Sequence, residues 1–149
     1  MSSTFWDYYA AVGYDALRVL IPYEEMQRAV VTIAALSSGE RLLVAGCGTG
    51  NLEWLAAQLV PELSIDAVDF SPAMLKRAQA KCAPFPGIRH CRADLCAELP
   101  LAAASVDAAV MCNVLYALPD QAAAVRGIAR VLRPGGRFVL CDRQPWSTM

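Results

Sequence analysis

The sequence predicts a three-layer α/β domain with a mainly parallel β-sheet. Short apolar runs alternate with segments of helical periodicity along residues 41–141, a pattern typical of strands joined by crossover helices. The run from Leu42 to Ala45 is apolar at every position, as expected for a strand buried on both faces. The chain has 149 residues, a length at which one domain can bury a core of its own.

The elements follow in a regular order. A helix that begins near Pro22 ends at Ser38-Gly39, with Met26, Val30 and Ile33 at helical spacing. We therefore expect a single domain over residues 1–149, with a helical segment at 1–38 and the α/β core at 39–149. The predicted strands span residues 41–45, 64–68, 88–93, 106–112 and 137–141, and the helices between them span residues 51–60 and 71–82 and begin again at 119–120.

Helix signals support these boundaries. Ser71 and Pro72 form a typical N-cap and first helical residue. In the helix that begins at Pro119-Asp120, an inward face is predicted for four residues, Val125, Ile128, Ala129 and Leu132.

Composition and charge exclude several classes of protein. With 13 basic and 14 acidic residues the net charge is -1, and no block of like charge is present, so we expect no nucleic-acid partner. No apolar run approaches the roughly 18 residues of a membrane span, and the first residues do not form a secretory signal. These features predict a cytoplasmic protein without a membrane partner.

The cysteines predict free thiols and no metal site. Six are present, and none form a Cys-x-x-Cys pair. His90, Cys91 and Cys96 lie near one another in sequence, but their spacing matches no structural zinc pattern.

A glycine-rich loop is the strongest functional signal. Gly46-Cys47-Gly48-Thr49-Gly50 follows the first predicted strand and precedes a helix. Glycine lets the backbone turn sharply and approach a ligand, and a helix N-terminus offers N–H groups toward it. The dinucleotide-binding pattern needs a third glycine where this chain has Asn51, which argues against a nicotinamide cofactor.

Asp69 ends the second predicted strand, 23 residues after Gly46. A carboxylate in this place can accept hydrogen bonds from both hydroxyls of a ribose. Because Ser71 already caps the next helix, Asp69 is expected to have no purely local role.

Five segments together resemble the motifs of class I S-adenosylmethionine-dependent methyltransferases. They are residues 42–50, which resemble the first motif, 69–75, which resemble the second, and 93–95, 105–110 and 131–137. Their joint order is more specific than any one of them. The resemblance implies a Rossmann-like sheet with strand order 3-2-1-4-5 and a ligand site at the carboxyl ends of strands one and four.

The resemblance also implies roles for individual residues. The glycine loop would pass along the methionyl part of S-adenosylmethionine, Asp69 would hold the ribose hydroxyls and Phe70 would flank the adenine. Asp94 would accept from the adenine amino group, and Asn113 would lie near the donor methyl. The full set of implied cofactor-binding residues is Ala45, Gly46, Cys47, Gly48, Gly50, Asp69, Phe70, Met74, Asp94, Leu95, Asn113 and Tyr14, the last in the N-terminal segment that often covers the cofactor in this family.

The expected function is methyl transfer to a small-molecule acceptor, in keeping with the neutral charge. No catalytic base is evident, because His90 is the only histidine and is expected to be a tolerated polar residue on an edge strand. Val44 stands where the family usually has an acid. The alternative is therefore a weakly active or inactive cofactor-binding or partner subunit, or a fragment of a longer methyltransferase.

Strand five is expected to be an edge. In the family a further helix and an antiparallel strand pair follow, whereas here the chain ends eight residues after Cys141. The strand from Arg137 to Cys141 would then expose unpaired N–H and C=O groups, which invite pairing with another chain. This predicts homo- or hetero-oligomers formed through that edge.

Overall fold

The computed structural model describes residues 4–5, 7–8 and 23–142, which contain a five-stranded parallel sheet in the order β3-β2-β1-β4-β5. This confirms the predicted α/β class and strand order. No helix in the described residues is long and apolar enough to cross a membrane. The strands are β1 Arg41–Ala45, β2 Ser64–Asp69, β3 Ile88–Arg92, β4 Val106–Cys112 and β5 Leu132–Cys141. The helices are α1 Tyr23–Ala34, α2 Asn51–Leu59, α3 Pro72–Cys82 and α4 Gln121–Val131, with a 3₁₀ turn at Leu115–Ala117.

The central strand β1 shows why the domain has three layers. Leu42 and Val44 enter the core on one face of the sheet, with buried residues of α1, α2 and α3. Leu43 and Ala45 enter the core on the other face, with α4 and the loop around residues 95–101. Since successive side chains of a strand point to opposite faces, an unbroken apolar run fits this double burial.

Strand β5 begins earlier than predicted. The sequence predicted its start at Arg137, but pairing with β4 already begins at Leu132, opposite Val106. The register then shifts, so that Arg137 lies opposite Ala108. The residues between form a bulge, and Gly135 within it has a φ of 77°. The Pro-Gly-Gly sequence therefore interrupts the strand and does not separate it from the helix.

Two helices bury only some of the apolar residues that their helical spacing indicated. In α4 the buried residues are Ala124, Ile128 and Val131, whereas Val125 is 39% exposed; Ala129 is also exposed and Leu132 belongs to β5. In α1 the buried residues are Val30, Val31 and Ala34, and Ile33 is 68% exposed. Both helices carry apolar residues on more than one face, and tertiary packing determines which of these faces is buried.

Ion pairs join the strands at the end of the sheet opposite the predicted site. The Asp66 carboxylate on β2 accepts from Arg41 on β1 and Arg89 on β3, with Nε–O distances of 2.7 Å for both. Because the Asp66 side chain is only 7% exposed, these charge-assisted bonds link three strands at a buried position. This end of the sheet is thus devoted to structure.

Candidate functional site

One cavity of about 540 Å³ opens at the carboxyl ends of the strands. Its volume is typical of small-molecule sites, and its position agrees with the rule for open α/β sheets. Most of the predicted cofactor-binding residues line it, although they are far apart in sequence. These residues are Gly46, Cys47, Gly48, Asp69, Phe70, Met74, Asp94, Leu95 and Asn113.

Two of the predicted residues do not line the cavity, and the position of a third cannot be compared with it. Ala45 is fully buried in the core, on the face of the sheet opposite to Val44, and does not reach the cavity. Gly50 lies against α3. Tyr14 lies outside the described residues.

The cavity also has walls that the motifs did not predict. Tyr23 and Gln27 reach it from α1, and Arg92 reaches it from the end of β3. Position at the carboxyl end of a strand was the signal that could have indicated Arg92. The segment after β4 supplies an apolar wall made of Val114, Ala117, Leu118 and Pro119.

The three glycines of the loop are required for different reasons. Gly46 has a φ of 77°, and a Cβ there would collide with the side chain of Val114. Gly50 has a φ of 89°, and a Cβ there would lie 2.8 Å from the Cα of Ala78. Gly48 has a φ of 55°, and a Cβ there would meet nothing within 4 Å. Only at Gly48, therefore, does the missing side chain leave open space beside the cavity.

The backbone N–H groups of the loop are bonded within the protein. Gly46 and Cys47 both donate to the carbonyl of Val68, at 2.8 and 2.9 Å, and Gly48 donates to Oδ2 of Asp69 at 2.9 Å. The expectation of N–H groups turned toward a ligand concerned the N-terminus of the helix that begins at Asn51, and these loop bonds do not test it. The bonds fix the loop against the end of β2.

Asp69 has a local role as well as a place in the cavity wall. Its Oδ1 accepts from the Ser71 N–H at 3.0 Å, in addition to the bond from Gly48. The expectation that it lacks a local role is therefore wrong. Burial raises the pKa of Asp69, and these backbone hydrogen bonds oppose that effect. Each carboxylate oxygen has two lone pairs, so Asp69 can still accept from a ligand.

The cap next to Asp69 links the site to the N-terminal segment. The Ser71 hydroxyl accepts from the Met74 N–H at 3.2 Å, which confirms Ser71 as the N-cap of α3. The same hydroxyl donates to the Asp7 carboxylate at 2.6 Å. The N-terminal segment thus approaches the cavity at the start of α3.

Two cysteines that line the cavity are held in the neutral form. Burial raises the pKa of the Cys47 thiol well above its usual range, and the nearby negative charges of Glu53 and Asp69 add to this. Burial, together with the neighbouring Cys141, raises the pKa of Cys112 to about 12. Since the thiolate is the nucleophilic form, neither side chain is an activated nucleophile.

Asn113 adopts a left-handed conformation directly after β4, with a φ of 55°. Asparagine tolerates this region better than most residues. Its N–H donates to the carbonyl of Cys141 at 2.8 Å, and its Nδ2 lies 3.8 Å from the sulfur of Met26 in α1. The backbone is therefore fixed by β5 while the side chain lies at the cavity.

Known proteins share the sequence motifs and the fold of this chain. The profile of the methyltransferase domain family matches residues 43–140. A ubiquinone/menaquinone biosynthesis C-methyltransferase (UbiE) of Syntrophotalea carbinolica is 33% identical over 135 residues, which cover 89% of this chain and 57% of that protein. The chain belongs to the class I S-adenosylmethionine-dependent methyltransferase family. It spans a little more than half the length of this relative.

Solved structures share the fold. The methyltransferase in complex with the Haloferax volcanii Trm112 activator superposes with a TM-score of 0.80 at 23% identity, covering 89% of this chain and 57% of that one. Phosphoethanolamine N-methyltransferase 2 of Haemonchus contortus, in complex with S-adenosyl-L-methionine, gives a TM-score of 0.71 at 24% identity, covering 78% of this chain and 27% of that one. At these identities the likeness establishes the architecture.

Proposed function

We propose that this chain binds S-adenosylmethionine in the cavity and transfers its methyl group to a small-molecule acceptor. The observation that carries the proposal is the convergence of the glycine loop, Asp69, Phe70, Asp94 and Asn113 on one cavity. These residues come from separate segments of the chain. Spacing and position indicated the glycine loop and Asp69, and the family resemblance indicated Phe70, Asp94 and Asn113. The rest of the cavity wall is free to accommodate the acceptor.

The chemistry of the cavity wall suits the cofactor. Asp69 offers a carboxylate to the ribose diol, and the missing Cβ of Gly48 leaves room beside the loop. Phe70 and Leu95 provide apolar surface for a flat base. Asp94 is exposed, and although its Oδ1 accepts from the Cys96 N–H at 2.8 Å, the carboxylate has further lone pairs for an amino group.

When bound, S-adenosylmethionine supplies a methyl group already activated on a sulfonium, so that proximity and alignment are the main tasks of the protein. The neutral state of Cys47 and Cys112 is useful here, because a thiolate beside the sulfonium would itself be methylated. Asn113 and α1 are placed to orient the acceptor. Val44 gives the cavity an apolar wall where the family usually has an acid, which we expect to weaken binding of the methionyl end.

We infer that the acceptor has an apolar ring. The wall formed by Val114, Ala117, Leu118 and Pro119 is apolar, and the relative from Syntrophotalea carbinolica is named for C-methylation in quinone biosynthesis. No histidine lines the cavity among the described residues, so His90 is not placed to act as a base. The acceptor is thus expected to need little help in losing its proton.

Transfer of a radiolabelled methyl group tests this function. Purified chain is incubated with labelled S-adenosylmethionine and a reduced demethylated quinone, with a hydrophilic catechol as the comparison acceptor. We expect label in the quinone product and less in the catechol. Cofactor binding without transfer to either acceptor would contradict the methyl-transfer proposal and favour a cofactor-binding subunit.

We also propose that the edge of β5 pairs with further strands or a second chain. Within the described residues β5 pairs only with β4, and Leu140 on this strand is 44% exposed.

The cytoplasmic location expected from the sequence stays a prediction.

A further inference from the structure

Three potential metal ligands meet outside the cavity. Glu53 lies in the first turn of α2, Cys82 is the last residue of α3, and His90 lies in the middle of β3. One ligand atom of each lies within 4.8 Å of the others. Among the described residues, no other group of three potential metal ligands lies this close together. None of the three lines the cavity, so the cluster has no part in the function proposed above.

The cluster is buried and incompletely bonded. Glu53 is 0% exposed, Cys82 is 3% exposed, and the His90 side chain is 4% exposed. Nε2 of His90 lies 3.1 Å from Oε1 of Glu53, and the Cys47 thiol also interacts with this carboxyl group. Oε2 of Glu53 nevertheless has no partner at hydrogen-bond geometry among the described residues. A buried carboxylate oxygen without a partner is costly and calls for an explanation.

We propose that Glu53, Cys82 and His90 bind a zinc ion. Carboxylate oxygen, cysteine sulfur and imidazole nitrogen are the three donor types that Zn²⁺ accepts in proteins. One carboxylate and one thiolate balance the charge of the ion, and the imidazole binds as the neutral form. The site is therefore electrically neutral, which suits its burial, and the ion gives Oε2 of Glu53 the partner that it lacks.

The distances are compatible with this ion. Tetrahedral zinc with the usual bond lengths places its ligand atoms about 3.3–3.6 Å apart. The His90–Glu53 pair, at 3.1 Å, is already close to that spacing, and the 4.8 Å limit on the group requires side-chain movements of about 1 Å at most. Three protein ligands leave a fourth position for a water molecule.

A bound ion would stabilise the two helices that support the glycine loop. The Cys82 thiol donates to the carbonyl oxygen of Gly50 at 3.5 Å, a bond that a zinc-bound thiolate gives up. Gly50 packs directly on Ala78 of α3, and this packing remains. An ion held by α2, α3 and β3 would fix the two helices that meet at the end of this loop. Its role is therefore structural, and its energy would contribute to folding.

Nearby cysteines provide matched controls. Cys91 and Cys96 are close to His90 in sequence, but their sulfurs approach the carbonyl oxygens of Arg92 and Asp120, at 3.6 and 3.5 Å. Neither belongs to the cluster. A zinc site made of His90, Cys91 and Cys96 is thus a rival arrangement that substitutions can separate from the proposed one.

Cobalt substitution and zinc binding test the proposal on the full chain, without cofactor. The chain is stripped with a chelator and titrated with Co²⁺, whose bond to a thiolate gives a charge-transfer absorption, and zinc affinity is measured by competition with a coloured chelator. We expect one ion per chain. Cys82→Ala should abolish the charge-transfer band and weaken zinc binding at least tenfold, whereas Cys91→Ala and Cys96→Ala should leave both unchanged.

Thermal unfolding gives a second readout that does not depend on the colour of the ion. Zinc should raise the Tm of the wild type and of Cys91→Ala by mass action, but not that of Cys82→Ala or His90→Gln. The proposal is overturned if the wild type shows no thiolate band, if Cys82→Ala binds zinc as tightly as the wild type, or if Cys96→Ala loses the ion. In each of those cases the Glu53–His90 contact is only a buried hydrogen bond.

Discussion

The glycine loop shows how residues of one type can differ in purpose. Gly46 and Gly50 are required because Val114 and Ala78 occupy the space of a side chain. Gly48 has open space instead, beside the proposed methionyl end of the cofactor. Substitution should therefore damage folding at the first two positions and cofactor binding at the third.

Gly48→Ala tests this distinction. A left-handed conformation costs an alanine roughly 1–2 kcal/mol, and the added methyl group would enter the space that we assign to the cofactor. We expect a folded protein with at least tenfold weaker binding of S-adenosylhomocysteine, which corresponds to about 1.4 kcal/mol. Calorimetry measures the affinity, and denaturant unfolding measures the stability.

Gly39→Ala is the matched control for that substitution. Gly39 has a φ of 80°, and a Cβ there also meets nothing within 4 Å, but this residue does not line the cavity. It should show a similar loss of stability with unchanged affinity. Equal affinity losses in both variants would mean that backbone strain, and not occupied space, weakens binding.

Sequence could not resolve these residue-scale roles. The motifs indicated Asp69 and the glycines as ligand contacts, but the hydrogen bonds that join Gly48 and Ser71 to Asp69 depend on the folded loop. The cluster of Glu53, Cys82 and His90 was also invisible, because its members come from three elements with no characteristic spacing. The topology of the fold brings such residues together, and no spacing pattern in the sequence shows that they are neighbours.

At the scale of elements, hydrogen bonds and ion pairs join the end of α1 and the start of β1 to β4 and β5. Arg137 on β5 donates to the carbonyl of Ala34 at 2.8 Å and to Glu40 at 2.6 Å. Asp107 accepts from the N–H of Arg41 at 2.8 Å and also pairs with Arg133. These contacts hold the end of α1 and the start of β1 against the bulge of β5.

This arrangement predicts a loss of stability in acid. Arg137 lowers the pKa of Glu40, and the Arg41 N–H, with Arg133, lowers the pKa of Asp107. A carboxyl group with a lowered pKa in the folded state stabilises it above the unfolded value, and that contribution disappears as the pH falls through the folded value. As the pH falls from the unfolded pKa values of Glu40 and Asp107 through their lowered folded values, the contribution of these two groups to the free energy of unfolding should therefore decrease.

Glu40→Gln checks the origin of that decrease. Urea unfolding at a series of pH values should show the variant less stable than the wild type near neutrality, with the difference shrinking as the pH falls. Because Glu40 is partly exposed, salt should reduce the difference as well. A difference that is constant with pH would assign the effect to packing.

The existence of the elements was predictable, but the inward face of α4 was only partly so: Ile128 is buried as predicted, and Val125 is not. Ser71 and Asp120 cap α3 and α4, since their side chains accept from Met74 and Ala123. Caps of this kind are local signals that a sequence carries. The face that α4 buries depends instead on how closely it approaches the sheet, and Ala124 faces inward where Val125 was expected.

At the scale of the whole molecule, the strand order followed from resemblance and not from periodicity. Apolar runs indicated a parallel sheet, but several orders are compatible with such runs. The motif order identified a family with a known topology, and the observed order β3-β2-β1-β4-β5 agrees with it. Neither the apolar periodicity nor the family resemblance predicted the bulge that lengthens β5, because the bulge depends on pairing with β4.

The edge of β5 predicts association. If this strand pairs with a second chain, sedimentation should show a concentration-dependent dimer in the micromolar range. Leu140→Lys, at a position 44% exposed, should weaken the dimer, since edge lysines oppose strand pairing. Leu59→Lys, at a position 48% exposed at the end of α2, should not. A monomer at all concentrations would contradict pairing between copies.

The central claim is that Asp69 holds the ribose of S-adenosylmethionine in this cavity. Calorimetric titration with S-adenosylhomocysteine and with its 2′-deoxyribose analogue, in the wild type and in Asp69→Ala, tests it most directly. Such a cycle separates the ribose contact from loosening of the loop, which Asp69→Ala also causes by removing the partner of Gly48. NAD serves as the negative control.

The wild type should bind S-adenosylhomocysteine and not NAD, and Asp69→Ala should bind it at least tenfold more weakly, since hydrogen bonds to a charged group contribute about 1.5–3 kcal/mol each. Loss of the 2′-hydroxyl should weaken binding to the wild type and make little further difference in Asp69→Ala. If the deoxy analogue binds the wild type as tightly as S-adenosylhomocysteine, or loses the same affinity in both proteins, Asp69 does not hold the ribose and the account of this site is wrong.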